Sequence, residues 1–239
     1  MINHHPSRAV LKEFAKGNLP LSVSIIVASH VEMCSECQKL VQLYTEYAAL
    51  EAFGIETESL NREFFECPDN RVTNEEHNEQ LDEELEDVLD SIIVQPAEAR
   101  SLVSTRVIEV EIAAQNTKVA LPRALNTIPL TEWQGVGKIS RSRLGVEDDK
   151  RRMSLLCIDK NGKVPSHTHK GDEITLLLHG SFEDEMGTYQ AGDFMWLNSA
   201  HTHNPTTYEG CICLTVSSDA LHFTQGISQL FNPLGKLIY

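Results

Sequence analysis

Two groups of side chains able to hold a metal stand far apart in this chain: His30-x3-Cys34-x2-Cys37 near its start, and His167-x-His169-x3-Glu173, joined later by His203, towards its end. The first mixes thiolate with imidazole, a donor set that selects Zn²⁺. The second mixes imidazole with carboxylate, which admits several divalent transition metals. Two different metal modules are therefore expected in one chain.

The first group constrains its own backbone. Tetrahedral coordination needs ligands that converge, but on one straight helix the seven residues from His30 to Cys37 would spread over about 10 Å of axis. The chain must bend between them. Ser35-x-x-Gln38 has the form of a capping box, so one helix is expected to end near His30 and Cys37 to lie in the first turn of the next. The positive end of that helix favours the thiolate form. The residues leave the fourth ligand open: His4 or His5, just ahead of the first helix, could fold back, and Cys67 and His77 are alternatives.

In the second group His167 and His169 are two residues apart, so on an extended strand both point to one face. Glu173 rejoins them after the turn Lys170-Gly171-Asp172, and His203 arrives from a later segment. Zinc, manganese, iron, nickel and copper all suit three imidazoles and a carboxylate. Cys211 and Cys213 share one face of a strand and read as small buried packing residues. A disulfide between them would be strained, because alternate strand residues sit about 7 Å apart.

The elements that position these groups change character along the chain. Val10, Leu11 and Phe14 have helical spacing and Gly17 follows as a stop. Pro20 opens a second helix over Leu21 to Ala28, despite its β-branched run. A third carries the stripe Cys37, Leu40, Val41, Tyr44, Tyr47 and Ala48 and ends at Gly54. Residues 55–78 read as a loop, and Leu81, Leu85, Val88, Leu89 and Ile92 mark a fourth helix whose flank is acidic, with no basic residue from Glu75 to Asp90. Beyond Pro96 the pattern turns to short strands: Val107 to Ala113, Ser154 to Ile158, Ile174 to His179, Phe194 to Leu197 and Cys211 to Val216. Many short strands imply an antiparallel sandwich or barrel.

With 239 residues and 41% hydrophobic content the chain can build two modest domains, and its formal charge of -15 makes attraction to phosphate backbones or anionic membranes unfavourable. No direct nucleic-acid or membrane partner is expected. The start, Met1-Ile2-Asn3-His4-His5, lacks a basic region followed by an apolar stretch, and six cysteines in a chain of this length fit a reducing cytoplasm.

His4-His5-Pro6-Ser7, Ala28-Ser29-His30 and Cys34-x-x-Cys37 together resemble the zinc-binding anti-sigma domain. The later residues, His167-x-His169-x3-Glu173-x6-Gly180, then Gly192-Asp193-Phe194 and His203, resemble the cupin signature. Asn198-Ser199-Ala200 departs from it where a Pro-x-Gly is usual. His201 competes with His203, but the spacing and the following Asn204-Pro205 favour His203. Both together, in this order, resemble the ChrR family. That resemblance implies His5 as the fourth zinc ligand, a zinc-binding helical bundle over residues 1–95, a linker over 96–105 and a cupin-like β-barrel over 106–239. It further implies an anti-sigma factor that binds an extracytoplasmic-function sigma factor through the zinc domain and releases it when the barrel, with a second divalent metal (zinc first; manganese, iron or nickel admitted), senses an oxidative or electrophilic signal such as singlet oxygen. The competing expectation is a metal-dependent cupin enzyme, a dioxygenase, isomerase or lyase, with a structural zinc appendage.

Overall fold

The computed structural model describes residues 2–54, 109–112, 117–219 and 221–223. The expected fourth helix, its acidic flank, the linker, Cys67 and His77 lie outside the described residues. Three helices come first: α1 (Arg8–Ala15), α2 (Leu21–Met33) and α3 (Ser35–Ala52). The Ser7 hydroxyl caps α1 by accepting the Val10 N–H, and Gly17 ends the segment at φ +73°, a conformation that costs glycine nothing.

The junction of α2 and α3 differs from the sequence expectation. Helix α2 runs three residues past His30, to Met33. Cys34, not Ser35, is the N-cap of α3, with extended backbone (φ -119°, ψ 105°) and no side-chain cap, so the Ser35–Gln38 box does not form. The helices close on Cys34 through backbone alone: its N–H donates to the His30 carbonyl and its carbonyl accepts from Gln38, both at 2.9 Å. A single-residue break leaves no room for a separate capping residue, and the break is what turns Cys34 Sγ towards the histidines.

The strands follow. They are β1 (Glu109–Ile112), β2 (Thr117–Ala120), β3 (Gln134–Val136), β4 (Ile139–Arg143), β5 (Arg152–Ile158), β6 (Gly162–Lys163), β7 (His167–His169), β8 (Glu173–Asp184), β9 (Gly187–Gln190), β10 (Phe194–Leu197), β11 (Thr202–His203), β12 (Thr206–Thr207), β13 (Cys211–Ser217) and β14 (Leu221–Phe223), with a 3₁₀ turn at Arg123–Leu125. All pairing is antiparallel. The main sheet runs β3-β4-β5-β13-β8-β12-β6, with β9 and β10 also on β8, and a small sheet runs β11-β7-β14. This curled antiparallel sheet is the cupin fold.

Strand β8 extends five residues beyond the expected end at His179 because Gly180 lets it continue. At Gly180 φ is +78°, and a Cβ would lie 2.0 Å from the Gly210 carbonyl oxygen. Next to it the ladder with β13 slips by one residue, His179 facing Ile212 while Leu177 faces Cys213. Strands β3 and β4 escape the sequence reading because Gln134-Gly135-Val136 and Ile139-Ser140-Arg141-Ser142-Arg143 carry little apolar alternation.

The centre of the sheet is buried on both faces. Along β13, Ile212, Leu214 and Val216 join a cluster with Leu155, Leu176, Val23, Ile26 and Val27, whereas Cys211 and Cys213 join a second cluster with Leu177, Phe182 and Met195. Helix α2 lies over the first of these faces, packed on β8 and β13. This explains its composition: a helix apolar nearly all round needs a covering surface on more than one side. The α2 N-terminus is also tied to the barrel, where the Asp148 carboxylate accepts from both the Ser22 N–H (3.0 Å) and the Ser22 hydroxyl. No described helix is long and apolar enough to cross a membrane.

Candidate metal centres

The break at Cys34 brings four donors together. Donor atoms of His5, His30, Cys34 and Cys37 all lie within 4.8 Å of one another. His5 Nδ1 is 3.4 Å from both Cys34 Sγ and Cys37 Sγ, and His30 Nε2 is 3.3 Å from Cys37 Sγ. A tetrahedral zinc with ordinary Zn–S and Zn–N lengths would hold N and S about 3.5 Å apart, so the geometry and the donor types fit that ion. His4 is not part of the cluster; its ring lies against Tyr189 at 4.8 Å between centroids.

His30 is fully buried and its Nδ1 lies 2.9 Å from the Gly192 carbonyl oxygen. A carbonyl can only accept, so Nδ1 carries the proton and Nε2 presents its lone pair to the cluster. Burial pushes the His30 pKa down to about 4, against the Gly192 hydrogen bond, keeping the ring neutral. Burial and the neighbouring Cys34 sulfur push the Cys37 thiol up to about 12. The helix terminus alone therefore does not make the thiolate; a bound cation would supply the missing charge.

The barrel set is built differently. Strand β7 pairs with β11 so that His167 faces His203 directly, and Leu197 of β10 faces Glu173 at the start of β8. Donor atoms of His167, Glu173 and His203 lie within 4.8 Å of one another, and all three side chains are shielded, at 3, 9 and 4% exposure. His203 Nε2 is 3.8 Å from Glu173 Oε2, and the two imidazole centroids are 4.4 Å apart. His169 occupies the last position of β7; its side chain lies outside what the structure describes. His201 is held in the loop by Asn198, its Nδ1 3.0 Å from Oδ1, and stands outside the cluster.

Both described imidazoles of this set are fixed by partners on the far ring nitrogen. His167 Nδ1 donates to the Pro165 carbonyl at 2.8 Å, and His203 Nδ1 to the Asp184 carboxylate at 3.2 Å. With Nδ1 the donor, Nε2 is the nitrogen of each ring able to ligate an ion. Asp184 was not anticipated from sequence. It ends β8, and its other oxygen accepts the Met186 and Gly187 N–H groups in the turn to β9. Burial opposes its charge, but His203 and these N–H groups prevail and hold the carboxyl below its ordinary range. The Asp184-x-x-Gly187 turn was the only local signal; that it backs His203, 19 residues on, was not legible. A carboxylate–imidazole–metal relay raises ligand basicity and fixes the tautomer, and zinc, manganese, iron or nickel suit the donors present.

These features define a class: a helical His/Cys clasp packed on a cupin barrel that carries its own His/Glu set. Residues 123–220 match the family model described as the ChrR cupin-like domain. The chain is 29% identical to anti-sigma-E factor ChrR of Cereibacter sphaeroides over 99% of both proteins. The crystal structure of Rhodobacter sphaeroides SigE in complex with the anti-sigma ChrR aligns with TM-score 0.58 at 24% identity, covering 91% of this chain and 100% of the matched one. The sequence likeness to ChrR thus extends over nearly the whole chain.

Proposed function

We propose that the protein is an anti-sigma factor. Its helical segment, clasped by zinc through His5, His30, Cys34 and Cys37, sequesters a cognate extracytoplasmic-function sigma factor in the cytoplasm. The barrel, with a second divalent metal on His167, His169, Glu173 and His203, receives an oxidative or electrophilic signal and triggers release. The observation that carries the reading is the end-to-end likeness to anti-sigma-E factor ChrR in a chain whose four clasp donors converge.

The physical chemistry supports this division of labour. Three short helices bury little apolar surface alone, so an ion joining α2, α3 and the N-terminal arm adds its binding free energy to folding. The net charge of -15 suits a protein that acts on a protein rather than on DNA. A metal in the barrel supplies Lewis-acid or redox chemistry towards a small oxidant when bound. Asp184 and Pro165 hold His203 and His167 ready for it. Asp184 faces the far side of His203 and is spent on that bond, so it is not placed as a general base for an enzymatic reaction.

Co-purification with the sigma factor encoded beside its gene tests the reading. A zinc-containing one-to-one complex that blocks transcription is expected. Cys34→Ala with Cys37→Ala should lose one metal equivalent and the partner. Retained zinc and retained inhibition in that double variant would refute the sequestration mechanism, and substrate turnover without any partner would favour a cupin enzyme instead.

A further inference from the structure

The clasp is not assembled by the helices alone. Asp193, fully shielded from solvent, sits in the turn between β9 and β10. One of its carboxylate oxygens accepts the N–H groups of Asn3 and His4, at 2.7 and 3.0 Å, and the other accepts the Gln190 N–H at 2.9 Å. On one side of it, Phe194 N–H donates to the His4 carbonyl at 3.0 Å; on the other, the Gly192 carbonyl accepts from His30 Nδ1. Gly192 has φ +97°, and a Cβ there would lie 2.4 Å from the Ile2 side chain, so the arm packs directly on bare backbone. The His30 ring meets Phe194 edge-on, with centroids 5.7 Å apart.

One three-residue turn of the barrel thus orients two of the four donors. It fixes His5 through the backbone of the two residues before it, and His30 through the ring nitrogen that does not face the cluster. A segment outside helix and strand is ordinarily free to move. Here, three hydrogen bonds of its backbone, two of them to a buried carboxylate, hold it against a turn nearly two hundred residues away. We propose that Asp193 is a positioning residue of the N-terminal metal clasp, and that the barrel turn Gly192-Asp193-Phe194 controls how tightly the clasp retains zinc. This inference rests on the zinc reading of the clasp. It makes the barrel part of the clasp's outer shell, and partner groups of that kind set ligand orientation and metal affinity.

The test is the rate at which the full-length protein gives up zinc to a chromophoric chelator. Asp193→Asn should release zinc about ten- to a hundredfold faster, the usual cost of losing an outer-shell partner. Because a buried carboxylate also supports its own turn, Asn3→Pro provides a second arm: it deletes one N–H donor to Asp193 and leaves the barrel sequence intact. It should accelerate release in the same direction with the barrel's near-ultraviolet circular dichroism unchanged. Co²⁺ in place of zinc should show altered d–d bands in both variants, since the inferred defect is in ligand orientation. Wild-type release rates in Asn3→Pro, or in an Asp193→Asn protein with native circular dichroism, overturn the assignment. If Cys34→Ala with Cys37→Ala leaves the zinc content of the chain unchanged, the zinc reading itself fails and this inference falls with it.

Discussion

Ile26 decides whether the helices and the barrel stand or fall together. It is completely buried on α2, in the cluster that includes Leu155, Leu176, Ile212 and Leu214 of the sheet. Truncation to alanine removes three carbons from a site with no solvent access and leaves a void between two rigid surfaces. Buried Ile→Ala changes cost 2–5 kcal/mol, and about 3 kcal/mol is the expectation at a site closed on all sides. For a chain of this size that is a fall of about 6–12 °C in melting temperature. Both tryptophans of the sequence, Trp133 and Trp196, belong to the barrel segment, so their fluorescence reports on the barrel while helical circular dichroism weights α1–α3. If the outer sheet face and α2 form one core, Ile26→Ala shifts both transitions by the same amount, although the mutated residue is on a helix. A fluorescence transition that stays at the wild-type temperature while the helical signal melts early would refute the shared core.

Asp184→Asn should lower metal affinity at the barrel set by about ten- to a hundredfold, because it deprives His203 of its carboxylate partner; titration of the metal-free protein with Zn²⁺ or Ni²⁺ measures it. Asp148 gives a pH prediction. Burial works against its charge, but the Ser22 hydroxyl, the Ser22 N–H and Arg151 hold its carboxyl below the ordinary value. A carboxyl depressed in the folded state contributes stability that is present above its unfolded pKa of about 3.9 and is lost as pH falls through the folded value. The melting temperatures of wild type and Asp148→Asn should therefore differ by a constant amount above about pH 5 and converge below pH 4. A gap that persists undiminished into acid would show that the bond to Ser22 does not depend on the charge.

The two faces of β8 and β13 give the proposed release a short route. Helix α2, which carries His30, packs on the outer face of these strands, and Glu173 begins β8. Strand β10 starts at the turn that holds the N-terminal arm and ends with Leu197 opposite Glu173. At about 3.3 Å per residue, its three steps put the two ends of that strand about 10 Å apart. A displacement of Glu173 would reach the clasp through packed sheet and helix, without passing through the segment between α3 and β1. Tightly packed cores do not absorb such shifts locally, so a shared core can carry the proposed signal.

What the residues reveal by themselves follows from the range over which each physical rule acts. Helices α1 and α3 were legible because period 3.6 and the stops at Gly17 and Gly54 are local, and the need for a bend between His30 and Cys37 follows from helical rise alone. The bend falls at Cys34 with Cys37 in the first turn of α3, as helical rise requires, but Ser35 is not its cap: a capping box is a local preference, and Cys34 closes both helices through backbone alone. Helix α2 carries β-branched residues that suit a strand, and it is helical because the barrel covers it. Cys211 and Cys213 were correctly read as packing residues, since alternation on a strand is also local. Asp184 behind His203 and Asp148 at the start of α2 carry no signal of their roles, and Asp193 stands in the sequence only within Gly192-Asp193-Phe194; the contacts of all three are illegible for one reason. Each is an ordinary turn aspartate by its neighbours, and its function is set by a partner 19, 126 or 190 residues away. The candidate ligands declare themselves through spacing; the groups that aim them do so only in the fold, and these three carboxylates are where the barrel takes hold of both candidate metal sets and of the helix between them.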